Sequence, residues 1–343
     1  MGLIVVASER FVEHQTPPGH PECPERAEVM DVVADEWRHR GGEVVAPREA
    51  THEQLARVHD EGYLRRIADL SGTATALDPD TYTSPETVGI ARLAAGAAIE
   101  AVERVMGAGR GQALSLMRPP GHHAERDRAM GFCFYNNIAV AAAHAKALGA
   151  SRVAIVDYDV HHGNGTQHLF EADPSVLYVS THQYPYYPGS GDVGELGVGD
   201  GLGFTVNVPI EAGATDGDYR LVFDEIVVPV VEQFSPDVVL VSAGFDAHER
   251  DPLGGMRLTT GAFSAMTLIL QGVADACCGG RLVAVTEGGY DLRAFRESLT
   301  EVRDALAAAP TGRARWPAVT VRSTRGASAV RAAQAVLKPF WTL

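Results

Sequence analysis

Two carboxylates and an imidazole occur at every second position near the middle of the chain. Asp157, Asp159 and His161 follow the apolar run Val153–Val156, which is typical of a buried strand. Side chains at positions i, i+2 and i+4 of a strand point to one face, so these three groups are expected to project together. Buried carboxylates are costly without a compensating cation. Salt-bridged acids beside a structural histidine are the alternative, but three groups in phase favour a divalent metal site.

A second apolar run, Val238–Val241, leads into another acid, Asp246. If the two strands are parallel, Asp246 lies at the same edge of the sheet as Asp159, and ligands bind at the carboxyl ends of such strands. His248 and Asp251 are alternative third ligands. Three protein ligands with an open position are typical of a catalytic metal site. Carboxylates with one imidazole suit Zn²⁺, Fe²⁺, Mn²⁺ or Co²⁺.

Two further segments carry groups that could move protons or stabilise charge. The tandem pair His122 and His123 follows the run Ala113–Met117 and is a candidate for proton transfer, with surface-loop histidines as the alternative. Tyr290 follows the run Leu282–Val285 and two glycines. A phenol there could donate a hydrogen bond to a developing oxyanion, or be an ordinary turn residue.

The elements that must position these groups are short apolar runs separated by helical patterns. The runs are continuously apolar, as in strands buried on both faces, and alternation of strand and helix predicts a parallel α/β sheet. The predicted strands are Leu3–Val6, Ala113–Met117, Val153–Val156, Val176–Val179, Val238–Val241 and Leu282–Val285, and the predicted helices are Thr87–Met106 before Gly107, Asn137–Leu148 before Gly149, Asp218–Phe234 and Thr260–Cys278. Neither a linker nor an internal repeat is evident, so residues 1–343 are predicted to form one domain.

Composition excludes several classes of protein. Of 343 residues, 45% are hydrophobic and 21% are charged, which rules out wholesale disorder. Lys and Arg number 29 against 44 Asp and Glu, a formal charge of −15 that disfavours nucleic-acid partners. Four cysteines without a CxxC pattern suit reduced thiols in a cytoplasmic protein. The first residues do not resemble a signal peptide, and we expect no membrane span because no run of about 18 apolar residues is evident.

The C-terminal segment, residues 305–343, differs in charge from the rest of the chain. It holds six basic residues and no acidic one: Arg313, Arg315, Arg322, Arg325, Arg331 and Lys338. An anion-binding tail is one interpretation. A helix at Gly326–Leu337 that packs on the acidic body is the favoured one.

Five motifs together resemble one family. RPPGHH, GFCFYNN, DYDVHHGNG, AGFD with DPLGG, and EGGYDL occur in this order, as in the zinc-dependent deacetylases, which comprise the histone deacetylases and the acetylpolyamine amidohydrolases. His20–Arg26 is similar to the entrance segment of class II members, and Pro339–Trp341 to the end of their C-terminal helix. The resemblance implies the arginase/deacetylase-like fold, a three-layer sandwich with a mostly parallel sheet and helices on both faces.

The resemblance also implies roles for the residues already singled out. Zn²⁺, with Fe²⁺ or Co²⁺ as alternatives, would be held by Asp159, His161 and Asp246. His123 would act as general base and then acid, and Tyr290 would polarise the acetyl carbonyl. His122 would be an electrostatic partner oriented by Asp157. Asn164 stands where class I members carry Asp, so it would orient its histidine without a full charge.

The resemblance also implies which residues line the substrate channel and which bind a structural potassium ion. Gly131 would accept a substrate N–H, and Phe132 and Tyr187 would flank the acyl-lysine channel. Leu253 stands where polyamine-selective members can carry a Glu. Potassium would be bound by Asp157, Ser180 and the backbone carbonyls of Asp159 and His161, and a second monovalent site would involve carbonyls near Phe170 and Val176.

The expected activity is removal of an acetyl (acyl) group from the amine of an acyl-lysine-type substrate, with release of acetate. Deacetylation of N-acetylpolyamines or another small acylated amine is the alternative. A non-catalytic acyl-lysine reader and arginase-like two-metal chemistry are less well supported, because His122, His123 and Tyr290 are all present. The sequence leaves a homo-oligomer open.

Overall fold

The fold is built on one sheet of eight parallel strands. The structure is a computed structural model that describes residues 2–109, 111–308, 316 and 323–343. The strands are β1 (Ile4–Val6), β2 (Glu43–Val45), β3 (Gln112–Ser115), β4 (Val153–Asp157), β5 (Val176–Gln183), β6 (Thr205–Ile210), β7 (Val238–Ala243) and β8 (Leu282–Thr286). They lie in the order β2-β1-β3-β8-β7-β4-β5-β6, and every pairing is parallel.

Eleven α-helices connect and cover the strands within the described residues. They are α1 (Glu25–His39), α2 (His52–Leu55), α3 (Glu61–Ala68), α4 (Thr87–Ala108), α5 (Asn137–Ala147), α6 (Asn164–Phe170), α7 (Asp216–Val222), α8 (Val228–Phe234), α9 (Thr260–Cys278), α10 (Leu292–Ala307) and α11 (Arg325–Leu337). Parallel strands need such crossovers, because the chain must return to the same end of the sheet before each new strand.

The strands are buried on both faces, as their continuous apolarity predicts. In β4, Val153 and Ile155 belong to one hydrophobic core, which α4 and α5 share, and Ala154 and Val156 belong to a second, which α9 and α10 share. Successive residues of a strand point to opposite faces, so each strand supplies both cores. The predicted three-layer α/β architecture is confirmed.

Two strands were missed by the apolar-run criterion. β2 has only three residues, none of them fully buried. In β6 the run is interrupted by Asn207 and Pro209. A proline is tolerated there because β6 is the edge strand.

Three predicted helices need corrected boundaries, and the helix predicted at Asn137–Leu148 ends one residue earlier, at Ala147. The helix predicted to end before Gly107 continues to Ala108, and Gly109 follows it in the left-handed conformation at φ 71°, as is common after a helix. The helix predicted at Asp218–Phe234 begins at Asp216 and consists of α7, a π-helical segment at Phe223–Val227, and α8. Pro229 lies in the first turn of α8. Because it has no N–H to donate, it cannot continue an α-helical ladder.

Helix α9 has its predicted bounds but is more apolar than the sequence analysis recognised. Among the described residues it is the one helix long and apolar enough to cross a membrane, by length and composition alone. It packs against α10, α8 and β7, and residues such as Phe263 and Met266 are fully buried. These contacts are those of a core helix.

The C-terminal helix begins one residue before its predicted start, at Arg325 instead of Gly326, and ends at Leu337 as predicted. Helix α11 packs against α7 and β6, and Arg325 donates to the carbonyl of Ala212. Three of the basic residues noted in the sequence, Arg313, Arg315 and Arg322, lie outside the described residues. The four cysteines lie inside them, and all are free.

Candidate active site

The chemistry-bearing segments meet because their strands are neighbours. β3, β8, β7 and β4 lie side by side, and since all are parallel, their carboxyl ends share one edge of the sheet. The segments that leave these four ends carry His122 and His123, Tyr290, Asp246, and Asp159 with His161. Open parallel sheets bind ligands at such an edge.

Three side chains form a compact cluster of metal-ligating groups. Ligand atoms of Asp159, His161 and Asp246 all lie within 4.8 Å of one another. Nδ1 of His161 is 3.1 Å from Oδ1 of Asp159 and 3.1 Å from Oδ2 of Asp246. Both carboxylates are fully buried. Two buried acids around one imidazole leave negative charge that a cation would compensate, so the donor set fits a divalent metal ion.

Backbone groups hold the two carboxylates in place. Oδ1 of Asp246 accepts from the N–H of Val160 at 2.8 Å, and Oδ2 of Asp159 accepts from the N–H of Gly288 at 2.8 Å. These bonds tie together the segments that follow β4, β7 and β8. Burial and the charge of Asp159 raise the pKa of Asp246 to about 7, so protons compete for the site when no cation is bound.

Asp157 lies beside this cluster but pairs with His122 and not with the metal-ligating groups. The three groups predicted to project together therefore separate into two sets. Oδ2 of Asp157 is 3.1 Å from Nδ1 of His122 and accepts from the Tyr178 hydroxyl at 3.0 Å. Burial lowers the pKa of His122, but the charges of Asp159 and Asp157 outweigh it and raise that pKa to about 10.

His123 has a different hydrogen-bond partner, and its pKa is shifted in the opposite direction. Its Nδ1 is 2.8 Å from Oδ1 of Asn164, which is the first residue of α6. Burial and the positive charges of His122 and His161 lower the pKa of His123 well below its usual value. The two adjacent imidazoles, 4.1 Å apart between ring centres, are thus set up as one cation and one neutral base.

Tyr290 faces the same space from the segment after β8. Its ring lies 5.7 Å from the ring of Phe132, edge to face. Burial raises the pKa of its hydroxyl well above the usual value, which keeps the phenol protonated as a donor. Asp251 accepts from the backbone N–H of Tyr290 at 2.6 Å.

A cavity of about 200 Å³ is lined by His123, His161 and Tyr290, one group from each part of the site. Among its lining residues are five that the sequence analysis placed in the channel or beside it: His123, Gly131, Phe132, Tyr187 and Leu253. Gly131 has φ 57°, and a Cβ there would lie 2.5 Å from the His123 ring. Only glycine allows the backbone to approach the imidazole this closely.

Two alternative ligands from the sequence analysis have other contacts. Asp251 holds the Tyr290 segment and accepts from the N–H of Leu253 at 2.9 Å. The ring of His248 stacks on Phe263, and its Nε2 is 3.3 Å from the Thr260 hydroxyl. Neither side chain belongs to the metal-ligating cluster.

Sequence reasoning missed a buried ion-pair network behind the site. Glu22 binds Arg118 through both carboxylate oxygens, at 2.8 and 2.7 Å, and Arg26 at 3.0 Å. Arg26 also donates to the carbonyls of Glu287 and Gly289, at 2.5 and 2.8 Å. The i, i+4 spacing of Glu22 and Arg26 was the one available signal; their partners lie far along the chain.

Three other residues near the cavity also went unrecognised. Tyr186 stacks on His161 with ring centres 5.5 Å apart, and Asp80 lines the cavity. The Glu287 carboxylate accepts from the N–H groups of Gly121 and His122, at 2.7 and 3.2 Å. It thereby fixes the backbone that carries the histidine pair.

Comparison with known proteins identifies the family. Residues 20–306 match the model of the histone deacetylase domain. The chain belongs to the histone deacetylase family. It is a deacetylase hydrolase of a metal-dependent family, and the Asp159–His161–Asp246 cluster is its candidate metal site.

Similar proteins come from several kingdoms. A probable deacetylase of Archaeoglobus fulgidus is 40% identical over 84% of this chain and 81% of its own. A human protein named polyamine deacetylase HDAC10 is 38% identical over 99% of this chain, which spans 53% of that protein's length. The solved structure of the HDA15 HD domain superposes with a TM-score of 0.91 at 37% identity, covering 99% of this chain and 95% of that one.

Proposed function

We propose that this deacetylase hydrolyses the amide of acyl-lysine-type substrates and releases acetate and the free amine. The observation that carries the proposal is one arrangement: the Asp159–His161–Asp246 cluster lies beside a cavity that His123 and Tyr290 also line. Amide hydrolysis needs an electrophilic centre, a base and an oxyanion donor, and these side chains supply a place for the first and candidates for the other two.

The charge of the metal ligands determines whether a separate protein base is needed. Asp159, His161 and Asp246 would hold Zn²⁺, with Fe²⁺ or Co²⁺ as alternatives. When bound, such an ion supplies a Lewis acid that polarises the amide carbonyl and acidifies a water molecule. Two of the three protein donors are anionic and offset the charge of the ion, so a separate base is needed for the water proton.

His123 is the proposed base and then the acid. Its Nδ1 is engaged by Asn164, which leaves Nε2 free to accept a proton. Because its pKa is lowered, the ring is neutral near pH 7 and can take the proton as water attacks the carbonyl carbon. The same nitrogen then delivers that proton to the departing amine. His122 stays protonated beside Asp157 and contributes positive charge.

Tyr290 is the proposed donor to the oxyanion. Its hydroxyl is protonated, and its ring contacts Phe132 edge to face and lies against the guanidinium of Arg26. A fixed donor at this position favours the transition state over the planar amide. Phe132 and Tyr187 would flank the acyl-lysine stem, and the carbonyl of Gly131 would accept the substrate N–H.

A structural potassium ion is proposed behind the histidine pair. Asp157 and Ser180 lie opposite each other in the paired strands β4 and β5. Potassium there would be held by these side chains and by the carbonyls of Asp159 and His161. An oxygen-rich, fully buried position between two strands supports this assignment.

Acetate release from an acetyl-lysine peptide tests the proposal. The purified protein, with its metal content measured, should release acetate, lose this activity on chelation and regain it with Zn²⁺. His123→Ala should abolish turnover, whereas the control His52→Ala, an exposed histidine paired with Glu61, should not. A metal-loaded protein that hydrolyses neither acetyl-lysine peptides nor acetylpolyamines contradicts the proposal.

Polyamine substrates are the second candidate. Relatives named polyamine deacetylase HDAC10 from human and mouse are 38% and 40% identical to this chain, and the carboxylate of Asp80 lines the cavity, where it could attract a polyamine cation. Leu253 does not supply a second acid. Comparing kcat/KM for N-acetylspermidine and an acetyl-lysine peptide decides between the two. Leu253→Glu should shift the ratio toward the polyamine.

A further inference from the structure

The proposed base His123 is connected to a second carboxylate through an amide. Oδ1 of Asn164 is 2.8 Å from Nδ1 of His123, and Nδ2 of Asn164 is 2.5 Å from Oε1 of Glu125. An ionised carboxylate can only accept hydrogen bonds, so the Asn164 amide must present its NH₂ group to Glu125. Its oxygen is then turned to His123, which must donate from Nδ1. This fixes the tautomer whose Nε2 is unprotonated.

Glu125 is ionised and held in place on its other side. His168, on α6, brings its Nδ1 to 2.9 Å from Oε1 and 3.1 Å from Oε2 of Glu125. Burial raises the pKa of Glu125, but the bonds from His168 and Asn164 outweigh it and the pKa is lowered, with a smaller contribution from Arg128. The bond to Glu125 raises the pKa of His168, to which the charges of Glu171 and Glu195 add.

The two histidines of the pair are therefore connected to a carboxylate in different ways. His122 contacts the carboxylate of Asp157 directly. His123 contacts an amide, and the carboxylate stands one residue behind it. Hydrogen bonds in a chain polarise one another, so a carboxylate accepting from Nδ2 makes Oδ1 of Asn164 a stronger acceptor and favours the imidazolium that forms when His123 takes a proton.

We propose that Glu125 is a positioning residue for the proposed reaction, acting on His123 through Asn164 by orienting the amide and supplying the negative charge that the amide lacks. The inference rests on the proposed role of His123 as base. Glu125 has no place in the cavity lining as described, so it does not act on substrate itself.

A double-mutant cycle tests this, with Glu125→Gln, Asn164→Asp and the two combined. Glu125→Gln alone should lower kcat about tenfold, the smaller end of what outer-shell partners contribute, with KM changed by less than about twofold. Asn164→Asp alone places two carboxylates in contact, and their repulsion should also lower kcat. In the combined variant the introduced carboxylate faces His123 directly and the introduced amide behind it can donate to that carboxylate, so kcat should rise above that of Asn164→Asp.

The wild-type background separates positioning from structural support, whereas the rise in the combined variant shows that the side chains at 125 and 164 act on each other. If Glu125 only stabilised the fold, the loss of kcat in Glu125→Gln would follow the melting temperature and the bound metal; that result, or an unchanged kcat, overturns the inference. Melting temperature and bound metal, measured for all four proteins, show whether a loss of turnover comes from unfolding or from loss of the ion. A cycle in which kcat follows only those two quantities also overturns the inference.

Two further variants make the result specific. Glu61 bonds an exposed histidine, His52, at 2.9 Å but has no amide and no active-site histidine behind it, so Glu61→Gln should leave kcat unchanged. His123→Ala distinguishes the two proposals. If it retains turnover, the proposed function of His123 fails. If it is inactive while Glu125→Gln matches the wild type, only the role of Glu125 is overturned.

Discussion

Nδ1 of His122 lies 3.1 Å from Oδ2 of Asp157, and both side chains are buried. The pKa of His122 is raised to about 10, and burial together with the resulting cation lowers the pKa of His123. A carboxylate beside one histidine thus influences the protonation of the next. Since a general base works only when unprotonated, the lowered pKa of His123 lets it act as a base at lower pH than an ordinary histidine.

The acid limb of activity should lie below pH 6.5, the ordinary pKa of a histidine. Because the pKa of His123 is lowered, the ring stays neutral as the pH falls through the usual histidine range, and protonation removes the base only at lower pH. The measurement is kcat/KM of the metal-loaded enzyme from about pH 5 to 9, with bound metal determined at each pH. A midpoint at or above the ordinary histidine value at full metal occupancy contradicts the assigned protonation states.

Removing Asp246 should remove the metal. Its Oδ2 is 3.1 Å from Nδ1 of His161, and Asp246→Ala leaves only Asp159 and His161 as ligands. We expect metal analysis to find little or no bound ion and activity to be lost with it. His248→Ala is the control, since that side chain contacts Phe263 and Thr260 instead. Full occupancy in Asp246→Ala would refute the ligand assignment.

Metal affinity should fall with falling pH. The pKa of Asp246 is raised to about 7 in the absence of a cation, and a carboxyl must lose its proton to bind metal. Between about pH 8 and pH 6 that proton alone weakens the apparent affinity about tenfold. The proton of His161 adds to the effect, because the two carboxylates outweigh burial and raise the pKa of this second ligand well above its usual value. Titration of the metal-free protein in metal buffers at the two pH values checks this. Equal affinities would show that Asp246 binds no proton in this range.

Tyr290→Phe should keep the fold and the metal but lose most turnover. Loss of one oxyanion donor typically lowers kcat by about 10²–10³-fold, and the ring that contacts Phe132 and Arg26 is retained. Tyr82→Phe is a matched control, because the Tyr82 hydroxyl bonds the backbone carbonyl of Pro79 at 2.8 Å. Turnover near that of the wild type in Tyr290→Phe would remove this hydroxyl from the mechanism.

The parts of the fold that could be predicted from the sequence are those with a strong local signal. Helix α9 has the predicted bounds, Thr260–Cys278, and six of the eight strands overlap predicted apolar runs that are rich in β-branched residues or leucine. β6 was missed because Asn207 and Pro209 interrupt its run. The division between α7 and α8 was missed because helical periodicity does not reveal a π-helical segment.

In the site, too, the residues with a local sequence signal could be predicted, and those whose role depends on contacts distant in sequence could not. Strand ends placed Asp159, His161 and Asp246 correctly together, because parallel strands bring their carboxyl ends to one edge. The side chains that hold the site, such as Arg26 and Glu125, were not recognised. Arg26 is 263 residues from Gly289, whose carbonyl it binds. No spacing rule within one segment reports such a contact.

The buried Arg26 lies against the ring of Tyr290. Its guanidinium carbon is 5.1 Å from the centre of the Tyr290 ring, while its N–H groups bind the carbonyls of Glu287 and Gly289 in the segment that leads to that tyrosine. A lysine has no planar fork and cannot make these bonds together. We therefore expect Arg26→Lys to lower kcat about tenfold and to lower the melting temperature.

The loss of kcat in Arg26→Lys should arise because the phenol of Tyr290 is displaced. Combining Arg26→Lys with Tyr290→Phe tests this. Once the hydroxyl is gone, misplacing its ring should cost little more, so the two losses in kcat should not multiply. Arg40→Lys is the control, because Arg40 also lies over an aromatic ring, at 5.5 Å from Trp37, but is exposed and remote from the cavity. Multiplicative losses in the double variant would mean that Arg26 acts on turnover independently of Tyr290.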